Sequence, residues 1–167
     1  GSHLVERIAA NENYRIKAIV LYNYRSEIGW LNNVNKDILK KVEIVPADIR
    51  DFDLMLKVSK NTDIIVNLAA LIGIPYSYDA PKSYIDTNII GTQNILQCAK
   101  IFNVKKFVYA SSSSVYGNAD DMPLKETHDV SKPISVYAAT KVANELFAHT
   151  YSNLYEIDTI GLRFFTV

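Results

Sequence analysis

Cysteine is nearly absent from this chain: Cys98 stands alone among 167 residues. One cysteine excludes a disulfide framework and predicts a reducing, cytoplasmic setting. Its apolar neighbours and lack of a basic partner predict a buried, inert thiol rather than a nucleophile. A surplus of either charge is also missing, with Lys+Arg and Asp+Glu both at 18, so no nucleic-acid or anionic-membrane footprint is expected. No apolar run is long enough to span a bilayer, and no signal peptide is visible. Low-complexity tracts, internal repeats and interdomain linkers are lacking too, which predicts one ordinary domain. What the chain does have is apolar residues, 49 % of the total, enough for a sizeable core.

Those residues alternate between two patterns. Helical spacing runs from Leu4 to near Asn11, over Asp51 to Ser59, Tyr84 to Phe102 and Tyr137 to Tyr155. Short apolar runs predict strands at Ile16 to Tyr22, Val42 to Val45, Asp63 to Asn67, Phe107 to Ala110 and Thr159 to Phe164, while Arg25 to Lys41 reads as polar and irregular. Strands alternating with helices predict an α/β doubly wound parallel sheet of the Rossmann type. Ligands of such sheets gather at the carboxyl ends of the strands, where Tyr22-Asn23, Asp48-Ile49, Ala69-Ala70 and Ser111-Ser112 would meet.

Two stretches carry chemistry. Ser111-Ser112-Ser113-Ser114-Val115-Tyr116-Gly117 follows one strand, and Tyr137-Ala138-Ala139-Thr140-Lys141 opens the long helix. Residues four apart share a helix face, and an ammonium beside a phenol favours its role as proton acceptor. A serine hydroxyl at the strand tip would bond the same substrate oxygen. Tyr78 and Lys82 repeat the spacing, but Pro81 between them argues against a regular helical turn, and no serine-tipped strand precedes them.

These stretches resemble the extended short-chain dehydrogenase/reductase family, in its nucleotide-sugar epimerase and dehydratase group. The likeness also rests on Gly1-Ser2-His3-Leu4-Val5-Glu6, Ala47-Asp48-Ile49-Arg50-Asp51, Asn67-Leu68-Ala69-Ala70, Asp86-Thr87-Asn88-Ile89-Ile90-Gly91-Thr92 and Gly161-Leu162-Arg163-Phe164-Phe165-Thr166-Val167, in family order. The resemblance implies that Asp48 and Ile49 border an adenine, that Leu68, Ala69 and Ala70 line the pyrophosphate-ribose path, and that Asn88 steadies the nearby loop. Tyr137 would be the base, Lys141 the anchor of the nicotinamide ribose, and Ser112 the assisting hydroxyl. Gly1 looks like the third glycine of the family's phosphate loop. Gly1-Ser2-His3 also reads as a tag remnant, but Leu4-Val5-Glu6 continues the family pattern in register. The expectation is therefore an incomplete NAD(P)-binding Rossmann domain over 1–167, a fragment without the family's first strand and its C-terminal substrate domain.

Two questions stay open on the residues. The family often grips the adenosine ribose with a carboxylate at the tip of the second strand. Here Tyr22-Asn23-Tyr24-Arg25 stands there, and Arg25 would suit a 2′-phosphate, so NAD is expected and NADP is not excluded. The half up to Tyr78 resembles bacterial nucleotide-sugar 4,6-dehydratases, whereas the half from Tyr109 onward resembles UDP-glucuronate 4-epimerases. The dehydratases place carboxylates at the positions of Ser113 and Ser114, which here would only contact substrate. The reading is a nucleotide-sugar 4-epimerase acting on a UDP-hexose or hexuronate. The alternatives are a 4,6-dehydratase and, in another class, a non-catalytic dinucleotide-binding module. A homodimer is expected through helices 84–102 and 137–155, with Leu96, Leu146, Phe147 and Tyr151 as seam candidates.

Overall fold

A computed structural model describes residues 1–119 and 122–166; Val167, the last residue of the family stretch, lies outside them. Helix α1 (Ser2–Ala9) leads into β1 (Ile16–Val20), and a 3-10 turn (Gly29–Asn33) with α2 (Lys36–Leu39) precedes β2 (Val42–Pro46). Then come α3 (Phe52–Val58), β3 (Ile64–Asn67), α4 (Ile74–Asp79) and α5 (Pro81–Tyr84). A π-helical segment (Ile85–Ile90) continues into α6 (Gly91–Ile101), followed by β4 (Lys106–Ser112), a 3-10 turn (Ser113–Tyr116), α7 (Val136–Tyr155) and β5 (Asp158–Phe164).

The strands are parallel but form two sheets, β1-β2 and β3-β4-β5, and among the described residues no strand joins β1 to β3. Side-chain alternation sends neighbours along a strand to opposite faces. Ile16, Ala18 and Val20 of β1 pack with Val42 and Ile44 of β2 against Val5 and Ala9 of α1 and Leu31 and Val34. On the opposite face, Val45, Ala47, Ile49 and Met55 pack with Ile95, Leu96, Phe107, Tyr109 and Ala148 in the larger core. Helices therefore lie on both faces of β1-β2. Over β3-β4-β5 the described residues cover one face, and Val66, Ile160, Leu162 and Phe164 stay 38 to 44 % exposed on the other.

The structure corrects several expectations. The stretch 25–41 is not wholly irregular, since Asn35 caps α2 by accepting from the Asp37 N–H at 2.8 Å. Helix spacing in 84–102 is interrupted by the π-helical segment, and α4 and α5 precede it. The expected break near Pro81 is present: Ala80 leaves helical geometry (φ −128°, ψ 54°), and Pro81 opens α5. Strand β4 runs on to Ser112 because its pairing with β5 continues to Ser112↔Phe164. Cys98 is fully buried, and burial raises its thiol pKa. Leu96 is likewise fully buried, facing the core rather than solvent, and so cannot line a seam. Tyr151 is half-buried and packs edge-on against Tyr155.

Candidate active site

The candidate residues lie at four strand ends and at the start of α7. Ser135 caps α7, its hydroxyl accepting from the Ala138 N–H at 3.0 Å, so Tyr137 and Lys141 sit in the first turns. Both are buried, 7 and 3 % exposed. The Lys141 ammonium lies 5.8 Å from the Tyr137 ring centroid and donates to the Ala110 carbonyl of β4 at 2.8 Å. Burial pushes Lys141 down to about 8. A cation held with little water is a strong local source of field. Tyr137 is held from the other side by Tyr84, edge-on with centroids 6.5 Å apart, and the Tyr84 hydroxyl donates to Gly73 O at 2.5 Å.

Ser112 closes β4 two residues past the carbonyl that Lys141 grips, and Ser113 and Ser114 follow in the 3-10 turn. All three are half-buried. The Ser112 hydroxyl accepts from the Ser114 N–H and donates to the Ser114 hydroxyl, each at 3.2 Å. The turn ends at Gly117 (φ +57°), where a Cβ would meet Lys132 O at 2.6 Å, so glycine serves both backbone and space.

The other site candidates are placed as follows. Asn88, fully buried, accepts from Leu71 N at 2.8 Å, donates to Leu71 O at 2.9 Å and donates to Thr140 at 3.0 Å. It thereby ties the loop after β3 to α7. Leu68 and Ala70 are half-buried and Ala69 is exposed, its N–H donating to Asn67 at 3.2 Å. Asp48 binds Arg50, whose Nε donates at 2.9 Å, and this hydrogen bond holds the Asp48 carboxyl below its usual range. Ile49 is buried against Gly91, where a Cβ would stand 2.5 Å from its Cδ1, so its side chain serves the core. Asn94 donates to the Ile49 and Arg50 carbonyls and fixes that turn. Tyr22 is 70 % exposed, and Asn23 folds its own loop by donating to Glu27 O at 2.8 Å. Arg25 donates to the Tyr24 hydroxyl at 2.9 Å and lies 3.7 Å from Glu27. Gly1 caps α1 without a side-chain bond.

A buried network not evident in the sequence lies beside the pair. Glu145, one turn beyond Lys141, accepts from Ser111 at 2.5 Å and from Arg163 Nε and Nη2 at 2.9 and 2.8 Å. Burial raises the Glu145 carboxyl, but these bonds outweigh it and the net shift is downward. The four-residue series Tyr137, Lys141, Glu145 was the available signal. Asn144 Oδ1 is buried without a hydrogen-bond partner among the described residues, and nothing in the structure explains it. No cluster of metal-ligating side chains occurs among the described residues, and no described helix is long and apolar enough to cross a membrane.

Comparisons with known proteins identify the family and the fold. The family model described as GDP-mannose 4,6 dehydratase matches residues 1–167. UDP-glucuronate 4-epimerase 6 of Arabidopsis thaliana is 43 % identical over 82 % of this chain and 31 % of its own length. The Bacillus cereus UDP-glucuronic acid 4-epimerase, solved with UDP-glucuronic acid and NAD, superposes with a TM-score of 0.87 at 27 % identity, over 99 % of this chain and 53 % of that one. DesIV, a dTDP-glucose 4,6-dehydratase of Streptomyces venezuelae solved as a double mutant with NAD, gives 0.84 at 32 % identity, over 98 and 51 %. The chain spans about half the length of the first curated relatives it matches. The chain belongs to the GDP-mannose 4,6-dehydratase family of nucleotide-sugar epimerases and dehydratases, within the extended short-chain dehydrogenase/reductases.

Proposed function

We propose that this chain is the cofactor-binding and catalytic half of a nucleotide-sugar 4-epimerase acting on a UDP-hexose or UDP-hexuronate. One observation carries the choice over a 4,6-dehydratase. Among the described residues the end of β4 offers hydroxyls at Ser112, Ser113 and Ser114, and Glu145, a carboxylate that reaches this strand end, is held by Ser111 and Arg163. Eliminating water from the sugar needs an acid and a base beyond the tyrosine, and serines do not ionise usefully near neutral pH. Inverting C4 needs no second pair.

NAD suits the donor set: a desolvated ammonium at Lys141 beside the Tyr137 phenol, and a loop at Ala69-Ala70 without side-chain bulk. Tyr22, Asn23, Arg25 and Asp48 would border its adenosine end, Leu68, Ala69 and Ala70 its middle, and Lys141 its nicotinamide ribose. When bound, NAD supplies reversible two-electron oxidation of C4. Tyr137 takes the proton from the C4 hydroxyl and returns it after the sugar has turned over. The Lys141 ammonium stabilises the negative charge on the phenolic oxygen, and Ser112 donates a hydrogen bond to the C4 oxygen. Arg25, already bonded to Tyr24, carries the weaker case for NADP. A homodimer through α6 and α7 fits the reading, because Leu146 and Leu154 on α7 are 63 and 65 % exposed. The buried free thiol of Cys98 fits a reducing, cytoplasmic setting.

Mass spectrometry together with proton NMR of the sugar product from the protein carrying its substrate-binding half is the test. The expected product has the mass of the substrate and the opposite configuration at C4. A product lighter by one water, a 4-keto-6-deoxy sugar, would establish the dehydratase instead. NAD binding with no conversion of any UDP-sugar would establish the non-catalytic module.

A further inference from the structure

Lys141 and Glu145 stand one turn apart on the same face of α7, and each is tied to the next residue along a single strand. Lys141 donates to the Ala110 carbonyl at 2.8 Å, and Glu145 accepts from the Ser111 hydroxyl at 2.5 Å. Glu145 cannot swing away, because the Arg163 guanidinium grips both its oxygens, at 2.9 and 2.8 Å. Arg163 is itself the residue of β5 in register with Ser111. Its other nitrogen donates to Glu126 O at 3.1 Å, and its plane lies 4.8 Å over the Tyr116 ring. Ser111 is 3 % exposed, and the Glu145 and Arg163 side chains are 16 and 18 % exposed, so water competes little for these bonds. A planar fork facing a carboxylate fixes orientation as well as distance.

We propose that Ser111, Glu145 and Arg163 form a positioning clamp that locks α7 against the end of β4, setting Ser112 in register with Tyr137 and Lys141. Two consecutive tethers on Ala110 and Ser111 leave the next residue, Ser112, no freedom to slide along the helix. Rotation of α7 about its axis would have to break the Arg163 fork first. None of the three clamp residues takes or gives a proton in the reaction; they act through the geometry of those that do. The clamp's kinetic consequence rests on the function proposed above, whereas its mechanical consequence does not.

The test uses two variants, Glu145→Gln and Ser111→Ala, each with two readouts. An amide at 145 presents an N–H to Arg163 where an acceptor is needed, and alanine at 111 removes one tether while leaving the ion pair. In the protein carrying its substrate-binding half and loaded with NAD, kcat is expected to fall about 100-fold in Glu145→Gln, the scale of a misplacement of about 1 Å, with KM nearly unchanged. Ser111→Ala is expected to lower kcat by about tenfold, one hydrogen bond's worth. Double substitution should cost little more than Glu145→Gln alone, since both act on one clamp. The second readout needs no substrate. Pulse labelling with an amine-directed reagent, read residue by residue by mass spectrometry, should modify Lys141 at least about tenfold faster in folded Glu145→Gln, with Lys106 unchanged. Unchanged kcat per folded molecule, or Lys141 as protected as in the parent protein, overturns the clamp. If Glu145→Gln does not fold, the same two measurements on Ser111→Ala decide in the same way. If the parent protein converts no nucleotide sugar, the proposed function falls while the labelling still decides the clamp.

Discussion

Gly161 makes room for Tyr109. A Cβ at position 161 would lie 2.5 Å from the Tyr109 hydroxyl and 2.6 Å from Cζ, on the strand that pairs directly with it. The Tyr109 phenol is thereby kept buried, and burial, aided by the nearby Glu145 charge, raises its pKa to about 12. The glycine is there for space, not for an unusual backbone angle. Gly161→Ala is expected to destabilise the fold by about 1 to 3 kcal/mol through overpacking. Thermal unfolding reads this directly, and a Tm within a degree of the parent protein would contradict it.

Lys141 predicts a stability that rises with pH. Its folded pKa of about 8 lies below the ordinary 10.5, so between these values the unfolded chain binds more protons. The cost of burying the charge is thus fully present below about pH 8 and is relieved as pH climbs towards 10.5. At about 1.4 kcal/mol per tenfold change in proton affinity, that cost is on the order of 3 kcal/mol at neutral pH. Losing the bond to Ala110 offsets about 1 to 1.5 kcal/mol of any gain on removing the charge. Lys141→Met is therefore expected to be about 1 to 2 kcal/mol more stable than the parent at neutral pH, with the advantage gone in alkali. Denaturant titrations across that range check it; an advantage that does not depend on pH would point to a cause other than the buried charge.

On the proposed function, in the protein carrying its substrate-binding half, Tyr137→Phe removes only the hydroxyl and should cost turnover about 10² to 10⁴-fold while leaving NAD affinity within a few-fold. Ser112→Ala should leave a measurable reaction about tenfold slower, because a single neutral hydrogen bond is lost. Steady-state kinetics with calorimetry on each variant separates the two roles. Equal losses from both would mean that Ser112 shares the proton transfer.

Leu146 is 63 % exposed on α7 and touches neither core. Leu146→Asp is expected to leave monomer stability within about 0.5 kcal/mol, as surface changes usually do, and to shift the homodimer proposed above towards monomer. Light scattering at micromolar concentration measures this; a dimer of unchanged affinity would move the seam elsewhere.

Much of this was legible because the physics behind it is local. Buried parallel strands are short apolar runs, and α7 is long, capped by Ser135 and evenly patterned. Tyr137 and Lys141 were singled out by their spacing together with the serine-tipped strand before them and the family motifs around them, since Tyr78 and Lys82 share the spacing. The less legible parts depend on distant partners. Ser111, Glu145 and Arg163 are 18 to 52 residues apart along the chain; the β4-β5 register brings Ser111 beside Arg163, and the packing of α7 brings Glu145 to both. Leu96 has the apolar character of a seam residue, but the orientation of α6 sends it inward. Pro81 reads as a break between Tyr78 and Lys82 and is one, yet it also opens α5, where a missing N–H costs nothing.

The turn after β2 is tied to α6 by Asn94, which donates to the Ile49 and Arg50 carbonyls, and Ala47, Ile49 and Met55 pack in the core that holds Ile95 and Leu96 of the same helix. Helix α6 also packs on α7, which carries Tyr137 and Lys141. A shift of α6 would therefore be felt at both ends of the candidate site at once, as a keel moves the whole hull.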